Sequence, residues 1–392
     1  MHYANLIPAV PTCTDHPTAL IWRMRLLPVS ETFIQTQATA LIRFSPFFAG
    51  RRRVKGLDTP EDLCWTINRG GLSGLLKEIA FLYCGPSAES IRTLATRRPA
   101  LLHAHFCVDA VRALTFASAL GIPLVTTFHG YDITRTDEAL RRTRDGRFYL
   151  KNRRTLQTTG AHFIAVSNFI RSKMEASGYP AERTSVHYIG VDTKQFEYSP
   201  RAKPGARVLF VGRLIEKKGC AILIRALEIV QQEIPDLKLI VIGDGDQRHT
   251  LEQEAARKLN CCRFLGSQPS STVRQELREA DVFCVPSIPA IDGDSEGLGM
   301  VFLEAQATGV PVVSFASGGI QEAVVHGETG LLAAGGDWKE LAASIARILK
   351  DSSLWNRFSQ AARLHVETNF DLTKQTSKLE DLYCQILTQF VM

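Results

Sequence analysis

YSPRAKPGARVLFVGRLIEKKG (198–219) decides how the chain is divided. Its first part, 198–205, carries two prolines and a glycine and little apolar content, so it reads as a linker. RVLFVG (207–212) is then an apolar run of strand length, ending at Gly212 and Arg213 and passing into a helical stretch. A strand–helix unit thus restarts directly after a linker. Downstream, KLIVIG (238–243), RFLG (263–266), DVFCVP (281–286) and VPVVSF (310–315) repeat the pattern. Upstream, ALLHAHF (100–106), PLVTTFH (123–129), HFIAV (162–166) and TSVHYIG (184–190) read as buried strands, and the helical stretch 109–120 is closed by Gly121 and Pro123. Short apolar strands alternating with helices predict parallel sheets covered by helices. Two such sets joined by a linker predict an α/β chain of two doubly wound, Rossmann-like domains, 1–198 and 199–371, with their ligand in the cleft between them. The stretch from Trp355 to Met392 is helical and apolar-periodic, and 372–392 is read as a C-terminal helix.

Length and composition agree. At 392 residues the chain suits two domains, and 45% hydrophobic with 22% charged residues excludes disordered and fibrous classes. No run of about 18 apolar residues occurs, so no membrane-spanning helix is expected. Residues 1–19 lack a basic start, and the apolar run 19–22 is cut by Arg23 and Arg25, so no signal peptide is expected. Nine cysteines without a C-x-x-C predict reduced thiols and a cytoplasmic chain. Charge is uneven: 25 Lys and Arg stand against 16 Asp and Glu over 1–198, and 21 against 24 over 199–392. The basic clusters are Arg51, Arg52 and Arg53, then Arg141, Arg142, Arg144, Arg147, Lys151, Arg153 and Arg154. They suit either an anionic neighbour, such as a phospholipid surface or a lipid diphosphate, or a solvated face. No nucleic-acid module is present, so nucleic acid is not expected as a partner.

Three segments carry chemistry. In SEGLGMVFLEA (295–305), Glu296 and Glu304 stand eight apart, slightly over two helical turns, with Glu296 read at the start of a helix over 300–308 and Glu304 along it. A helix N-terminus behind Gly297 and Gly299 suits a phosphate, and a carboxylate can accept two sugar hydroxyls at once. The plainer alternative makes Glu296 a dipole partner and Glu304 a solvated residue. In FVGRLIEKKG (210–219), Arg213 and Lys218 at a first strand–helix turn can neutralise a diphosphate, or are surface charge. In TTFHGYD (126–132), His129 ends a buried strand and points into the ligand crevice, or is a satisfied core histidine.

SEGLGMVFLEA resembles the Glu-x7-Glu signature of glycosyltransferase family 4. VGRLIEKKG (211–219), VIGDGDQR (241–248), AVSNFI (165–170), YIGVD (188–192) and SGGIQEAVVHGETGLL (317–332) look like that family's other landmarks, in order. HAHF (103–106), TFHGYD (127–132) and LPVSETFIQTQ (27–37) resemble its bacterial exopolysaccharide and colanic-acid branch. The resemblance implies the GT-B fold, with the C-terminal helix crossing back to the N-terminal domain. It also implies a retaining, metal-independent transfer of a hexosyl group from a nucleotide diphosphate sugar to a saccharide or lipid-linked acceptor, in surface polysaccharide biosynthesis. By it, Arg213 and Lys218 hold the diphosphate, Glu296 the donor-sugar hydroxyls, Glu304 the ribose, and His129 the donor sugar. Gly297, Leu298, Gly299, Gly318 and Gly319 add phosphate or sugar contacts, and Gly243 joins the donor-binding set. Ser30 and Glu31 stand where many relatives carry a glycine-rich loop. Residues before Leu20 match nothing in the family.

No cofactor beyond the substrate nucleotide sugar and no metal are expected. Asp292-Gly-Asp294 has the D-x-D form of a metal motif but stands just before Glu296 in an otherwise metal-independent pattern. His103-x-His105 lacks a third ligand nearby. Gly243-x-Gly245 lacks the third glycine of a dinucleotide fingerprint. The expected partners are the nucleotide-sugar donor, the acceptor and an anionic membrane at the inner face of the plasma membrane. Two other functions remain open: a sugar-nucleotide 2-epimerase of the same fold, and a non-catalytic nucleotide-sugar or polysaccharide-binding subunit.

Overall fold

The computed structural model describes residues 16–201 and 204–391. The unmatched N-terminal piece thus lies largely outside the described residues. Seven strands form one sheet: β1 (Thr18–Leu26), β2 (Ser45–Arg53), β3 (Cys64–Asn68), β4 (Pro99–His105), β5 (Leu124–Phe128), β6 (His162–Ala165) and β7 (Thr184–Val186). Six form a second: β8 (Arg207–Val211), β9 (Lys238–Ile242), β10 (Cys262–Phe264), β11 (Val282–Cys284), β12 (Val312–Phe315) and β13 (Gly330–Ala333). The orders are β3-β2-β1-β4-β5-β6-β7 and β10-β9-β8-β11-β12-β13. Both sheets are parallel, and in each the order reverses at the first strand, β1 or β8. That reversal makes a crevice at the carboxyl ends of the strands. The cause is the run of apolar side chains: β8, β11 and β12 bury Val208, Leu209, Phe210, Phe283, Val312 and Phe315 completely, as strands covered by helices on both faces must.

By internal contacts the chain divides into two compact units. One comprises Met1–Thr126, Arg153–His162 and Ser377–Met392; the other comprises Thr127–Asn152 and Phe163–Thr376. The first unit is closed by the end of the Leu372–Val391 helix. Glu380 accepts from the backbone N–H of Ile42 and Arg43 at 2.8 and 2.6 Å, and the Tyr383 hydroxyl meets His103 Nδ1 at 2.5 Å. The C-terminal helix therefore crosses back to the N-terminal sheet. His103 and His105 stack at 4.4 Å, with His103 engaged by Tyr383.

At the carboxyl end of β1, Arg23 is buried and held by Glu31, Asp109 and the His105 carbonyl. Its guanidinium lies 4.3 Å from the Phe106 ring. The turn after β1 thus presents a carboxylate to an arginine of its own strand. β2 and β3 have no counterpart in the sequence reading. SPFFAGRRR (45–53) ends in arginines that read as a charge cluster, yet Arg51 is buried with its Nε 3.3 Å from Glu78. The terminal helical stretch is two helices, Ser352–Asn369 and Leu372–Val391, parted where Val191 bonds Phe370 and Leu372.

Candidate active site

The site grows from the loops after β8, β11 and β12, all in the second unit. After β8 the chain passes Gly212 and Arg213 into the short 3-10 turn Glu216–Lys218. Gly219 follows with φ +69, and a Cβ there would stand 2.1 Å from the Pro286 carbonyl, so only glycine brings the Lys217–Lys218 turn against the loop after β11. Lys218 Nζ lies 2.7 Å from Glu296 Oε1. Lys217 Nζ lies 2.8 Å from Asp294 Oδ1 and 3.7 Å from the same Glu296 oxygen. Ser287 donates to Glu296 at 3.4 Å. Arg135 completes the cluster, 3.1 Å from Asp292 and 3.7 Å from Asp294. Burial alone would favour the neutral acid of Glu296, but Lys218 and Lys217 outweigh it and carry its pKa down to about 2.

Glycines let the backbone close around Glu296. A Cβ on Gly297 would meet the His129 carbonyl at 2.0 Å, one on Gly319 the Gly297 carbonyl at 1.9 Å, and one on Gly318 the Glu296 carbonyl at 2.5 Å. Gly319 N–H donates to the Glu296 carbonyl at 2.9 Å, and Ser167 donates to the Gly297 carbonyl at 2.6 Å. The structure thus brings His129, Glu296, Gly297, Gly318 and Gly319 together, with Lys218 on the Glu296 carboxylate. The His129 and Gly130 N–H groups donate to the buried Asp132 carboxylate, which holds the turn after β5. Leu298 is buried behind them. Gly243, at φ +138, packs on the Gly212 carbonyl beside Arg213.

Two expected residues stand apart from that cluster. Arg213 is exposed and makes no ion pair among the described residues. Glu304 lies on the Met300–Ala307 helix, half-buried, and its carboxyl has no hydrogen-bond or ion-pair partner among the described residues. Burial raises its pKa to about 7, with Arg274 opposing weakly. It is not a solvated helix residue. A correction concerns Glu296: the helix begins at Met300 behind Gly299, which takes φ +86 as its N-cap. Glu296 lies in the preceding loop and is placed by Lys218 and by backbone contacts to Gly318 and Gly319. Helical spacing does not place it.

Sequence reading missed several members. Lys217 and Ser287 contact Glu296, Asp294 shares Lys217 with it, and Arg135 pairs with Asp292 and Asp294, so the two aspartates of the D-x-D discounted as a metal motif turn to cations of the chain. Among the described residues no group of three or more His, Cys, Asp or Glu could hold a metal ion. Glu322 is a second omission. Its carboxylate accepts from the N–H of Asn168 and Phe169 at 2.8 and 2.9 Å and from Tyr188 at 2.9 Å, tying the Asn168–Ala176 helix to the turn after β12. Burial and this bond push Tyr188 up to about 12. Its position in SGGIQEA was the available signal.

The family Glycosyl transferases group 1 matches residues 191–365, and Glycosyltransferase Family 4 matches 58–195. The chain belongs to the family 4 glycosyltransferases of GT-B fold. The amylovoran biosynthesis glycosyltransferase AmsK of Erwinia amylovora is 34% identical over 63% of this chain, a match that spans 60% of AmsK. The putative colanic acid biosynthesis glycosyltransferase WcaL of Escherichia coli K12 is 30% identical over 68% of this chain and 66% of its own length. Among solved structures, Anabaena HepE in complex with UDP-glucose superposes with a TM-score of 0.76 at 22% identity, over 94% of this chain and all of HepE. The likeness to HepE concerns the fold.

Proposed function

We propose that this glycosyltransferase moves a hexosyl group from a nucleotide diphosphate sugar to a saccharide acceptor, with retention of configuration, in the assembly of a surface polysaccharide. One observation carries the reading: a carboxylate held ionised by Lys218 and Lys217 beside a strand–helix turn that bears the exposed Arg213. Breaking the sugar–phosphate bond leaves negative charge on the diphosphate and positive charge on the anomeric carbon. Arg213 and Lys218 are the cations for the first; Glu296 binds the sugar hydroxyls close to the second. A donor phosphate arriving at Lys218 exchanges one anion for another, which frees Glu296 Oε1 for a hydroxyl. Glu304, without a partner of its own, takes the ribose. His129, the N–H groups of 297–299 and that of Gly318 line the donor sugar and phosphates, while Gly319, whose N–H holds the Glu296 carbonyl, and Gly243 shape the turns beneath them. Positioning supplies much of the remaining acceleration.

AmsK and WcaL by their names support an exopolysaccharide product, and HepE by its bound UDP-glucose supports a nucleotide-sugar donor. Among the described residues no helix is long and apolar enough to cross a membrane. The acceptor in this reading is lipid-linked, and the enzyme works in the cytoplasm at the inner face of the plasma membrane. No metal or other cofactor takes part, so EDTA is expected to leave turnover within about twofold, as a site whose leaving-group charge is met by side chains requires; a large loss restored by Mn²⁺ would bring Asp292 and Asp294 into the chemistry. The deciding assay is a panel of nucleotide sugars followed for nucleotide diphosphate release with and without lipid-linked saccharides, with the product anomer read by NMR. Acceptor-dependent release and a retained anomer support the reading. Epimerised or hydrolysed donor without acceptor would make the protein an epimerase, and binding without turnover would make it a binding subunit.

A further inference from the structure

Of the ten large hydrophobic side chains that stand exposed among the described residues, five lie on one helix, Gly71–Cys84. Leu72, Leu75, Leu76 and Ile79 are 73, 46, 58 and 43% exposed, and Tyr83 is 76% exposed. At about 100° per residue these positions fall on a single side. The opposite side is the packed one: Gly74, Glu78 and Phe81 are buried, and Glu78 meets Arg51 and Asn68. The usual arrangement of a surface helix is therefore reversed, with the carboxylate inside and the aliphatic row outside. Solitary exposed leucines are ordinary, but a contiguous apolar row marks a surface that something covers.

We propose that this helix face is a membrane-seating surface, which enters the interface of an anionic lipid bilayer and lies in its plane. Length excludes a span: 14 residues make about 21 Å of helix, flanked by Gly70 and Gly85, against the roughly 20 apolar residues that crossing needs. Area disfavours a second copy of the chain. A row one helix wide, about 10 Å by 21 Å, offers roughly a quarter of the 800 Å² per partner that a stable interface buries. It is sufficient for an interfacial helix, which buries one apolar face in the headgroup–acyl boundary. Charge selects the lipid. Residues 69–98 hold five Lys and Arg against two Asp and Glu. Beside the helix, a recess with Trp65 and Ile67 in its lining also carries Arg69, Ser73, Lys77 and Ser90, which offer hydroxyls and cations. Lys77 holds Glu89 at 2.9 Å, and Arg69, in the same lining and without an ion pair at contact distance among the described residues, is the cation most open to a headgroup phosphate.

The proposal rests on the peripheral-membrane part of the reading above, and its deciding readout is vesicle binding, with catalysis only as a control. The full chain is sedimented with phosphatidylglycerol-rich and with pure phosphatidylcholine vesicles, at low salt and at about 0.5 M salt, where exposed charges are screened. Wild type is expected to prefer phosphatidylglycerol and to keep part of its binding in salt. The Leu72→Ser, Leu76→Ser, Ile79→Ser triple variant, altered only at exposed positions, is expected to melt like wild type and bind at least about tenfold more weakly, the salt-resistant part being lost. In a separate variant, Leu76→Trp, the indole fluorescence is expected to shift blue on vesicles and to be quenched by brominated acyl chains. No vesicle binding by wild type, equal binding by the triple variant, or a Leu76→Trp emission indifferent to bound vesicles overturns the proposal. So does a wild-type dimer that the triple substitution dissolves, which would assign the face to a second copy. Release of nucleotide diphosphate with a soluble acceptor should be the same in all variants. If that activity is absent while insertion is seen, the transfer reading fails and this one stands.

Discussion

Glu296 and Glu304 are both carboxylates near one bound nucleotide sugar in the reading proposed, yet their surroundings push them in opposite directions. Glu296, at about 2, stays ionised at every working pH. Glu304, at about 7, titrates in the physiological range. For Glu304 the folded-state pKa lies above the ordinary 4.5, so between about 4.5 and 7 the folded chain keeps a proton that the unfolded chain has lost. Its contribution to stability is present below that window and is lost as pH rises through it. Ribose hydroxyls donate to the ionised form, so nucleotide binding expels the proton. Affinity for a nucleoside diphosphate is expected to rise roughly ninefold from pH 6 to pH 8 through this group, as the ionised fraction rises from about a tenth to about nine tenths. Glu304→Gln should bind more weakly at pH 8 and lose that component. The phosphate's own titration is common to both proteins and cancels in the comparison. Calorimetry across pH decides it, and identical pH profiles for the two proteins would remove Glu304 from the ribose. The cations give a second expectation at this scale. Arg213→Ala and Lys218→Ala should each lower kcat by about a hundredfold or more, the cost of losing one stabiliser of developing charge. Arg213→Ala should change stability by less than about 0.5 kcal/mol, because the side chain is exposed. Wild-type turnover in both variants would sink the diphosphate assignment.

At the scale of elements, the site is a set of turns that only glycine can close. Gly297 and Gly319 have carbonyl oxygens where a Cβ would go, at 2.0 and 1.9 Å, whereas Gly335 has nothing within 4 Å. Gly297→Ala and Gly319→Ala should each cost about 1–3 kcal/mol, the range for overpacking, and lower donor turnover with it. Gly335→Ala should be close to neutral. Thermal melts of the three variants test this, and a Gly319→Ala protein as stable and active as Gly335→Ala would show that the turn has room the structure does not allow it. The same turns explain what the sequence could reveal. RVLFVG and VPVVSF were legible as strands because completely buried parallel strands are continuous apolar runs. SEGLGMVFLEA disclosed its two carboxylates through their separation of eight positions, ahead of and along a glycine-led helix. The partners of Glu296 were not legible, since Lys217 and Arg135 reach Asp294 from 77 and 159 positions away, and local pattern carries no trace of such pairs. The register of Glu296 escapes the sequence for a related reason. The helix itself begins at Met300, close to the 300–308 read from sequence, but the loop of Glu296 and Gly297 before it is shaped by contacts with Lys218, Gly318 and Gly319 from distant positions. SPFFAGRRR hid β2 because arginine in a strand is informative only once Glu78, on another element, is known to meet it.

Over the whole molecule the excess of positive charge lies in the first half of the sequence, but the structure divides its two clusters. Arg51 is buried against Glu78, Arg52 lies 3.9 Å from the same carboxylate, and Arg53 lies 3.8 Å from Glu61. That cluster is largely answered within the chain. Arg141, Arg142, Arg144, Arg147, Lys151 and Arg154 are exposed, most of them along the Arg144–Thr158 helix. In the reading proposed, long-range attraction to an anionic surface falls to these residues, each contributing about 1 kcal/mol close to such a surface. The attraction must fade with salt, because exposed charges are screened over about 10 Å at 0.1 M ionic strength. Arg147→Glu, Lys151→Glu, Arg154→Glu should accordingly abolish the salt-sensitive part of binding to phosphatidylglycerol vesicles, by about a hundredfold or more at low salt, and leave the salt-resistant part and the melting temperature nearly unchanged. Sedimentation over a salt series separates the two parts. A triple charge reversal that binds with the wild-type salt slope would mean that this basic helix is merely solvated and that the lipid binding measured arises elsewhere on the surface.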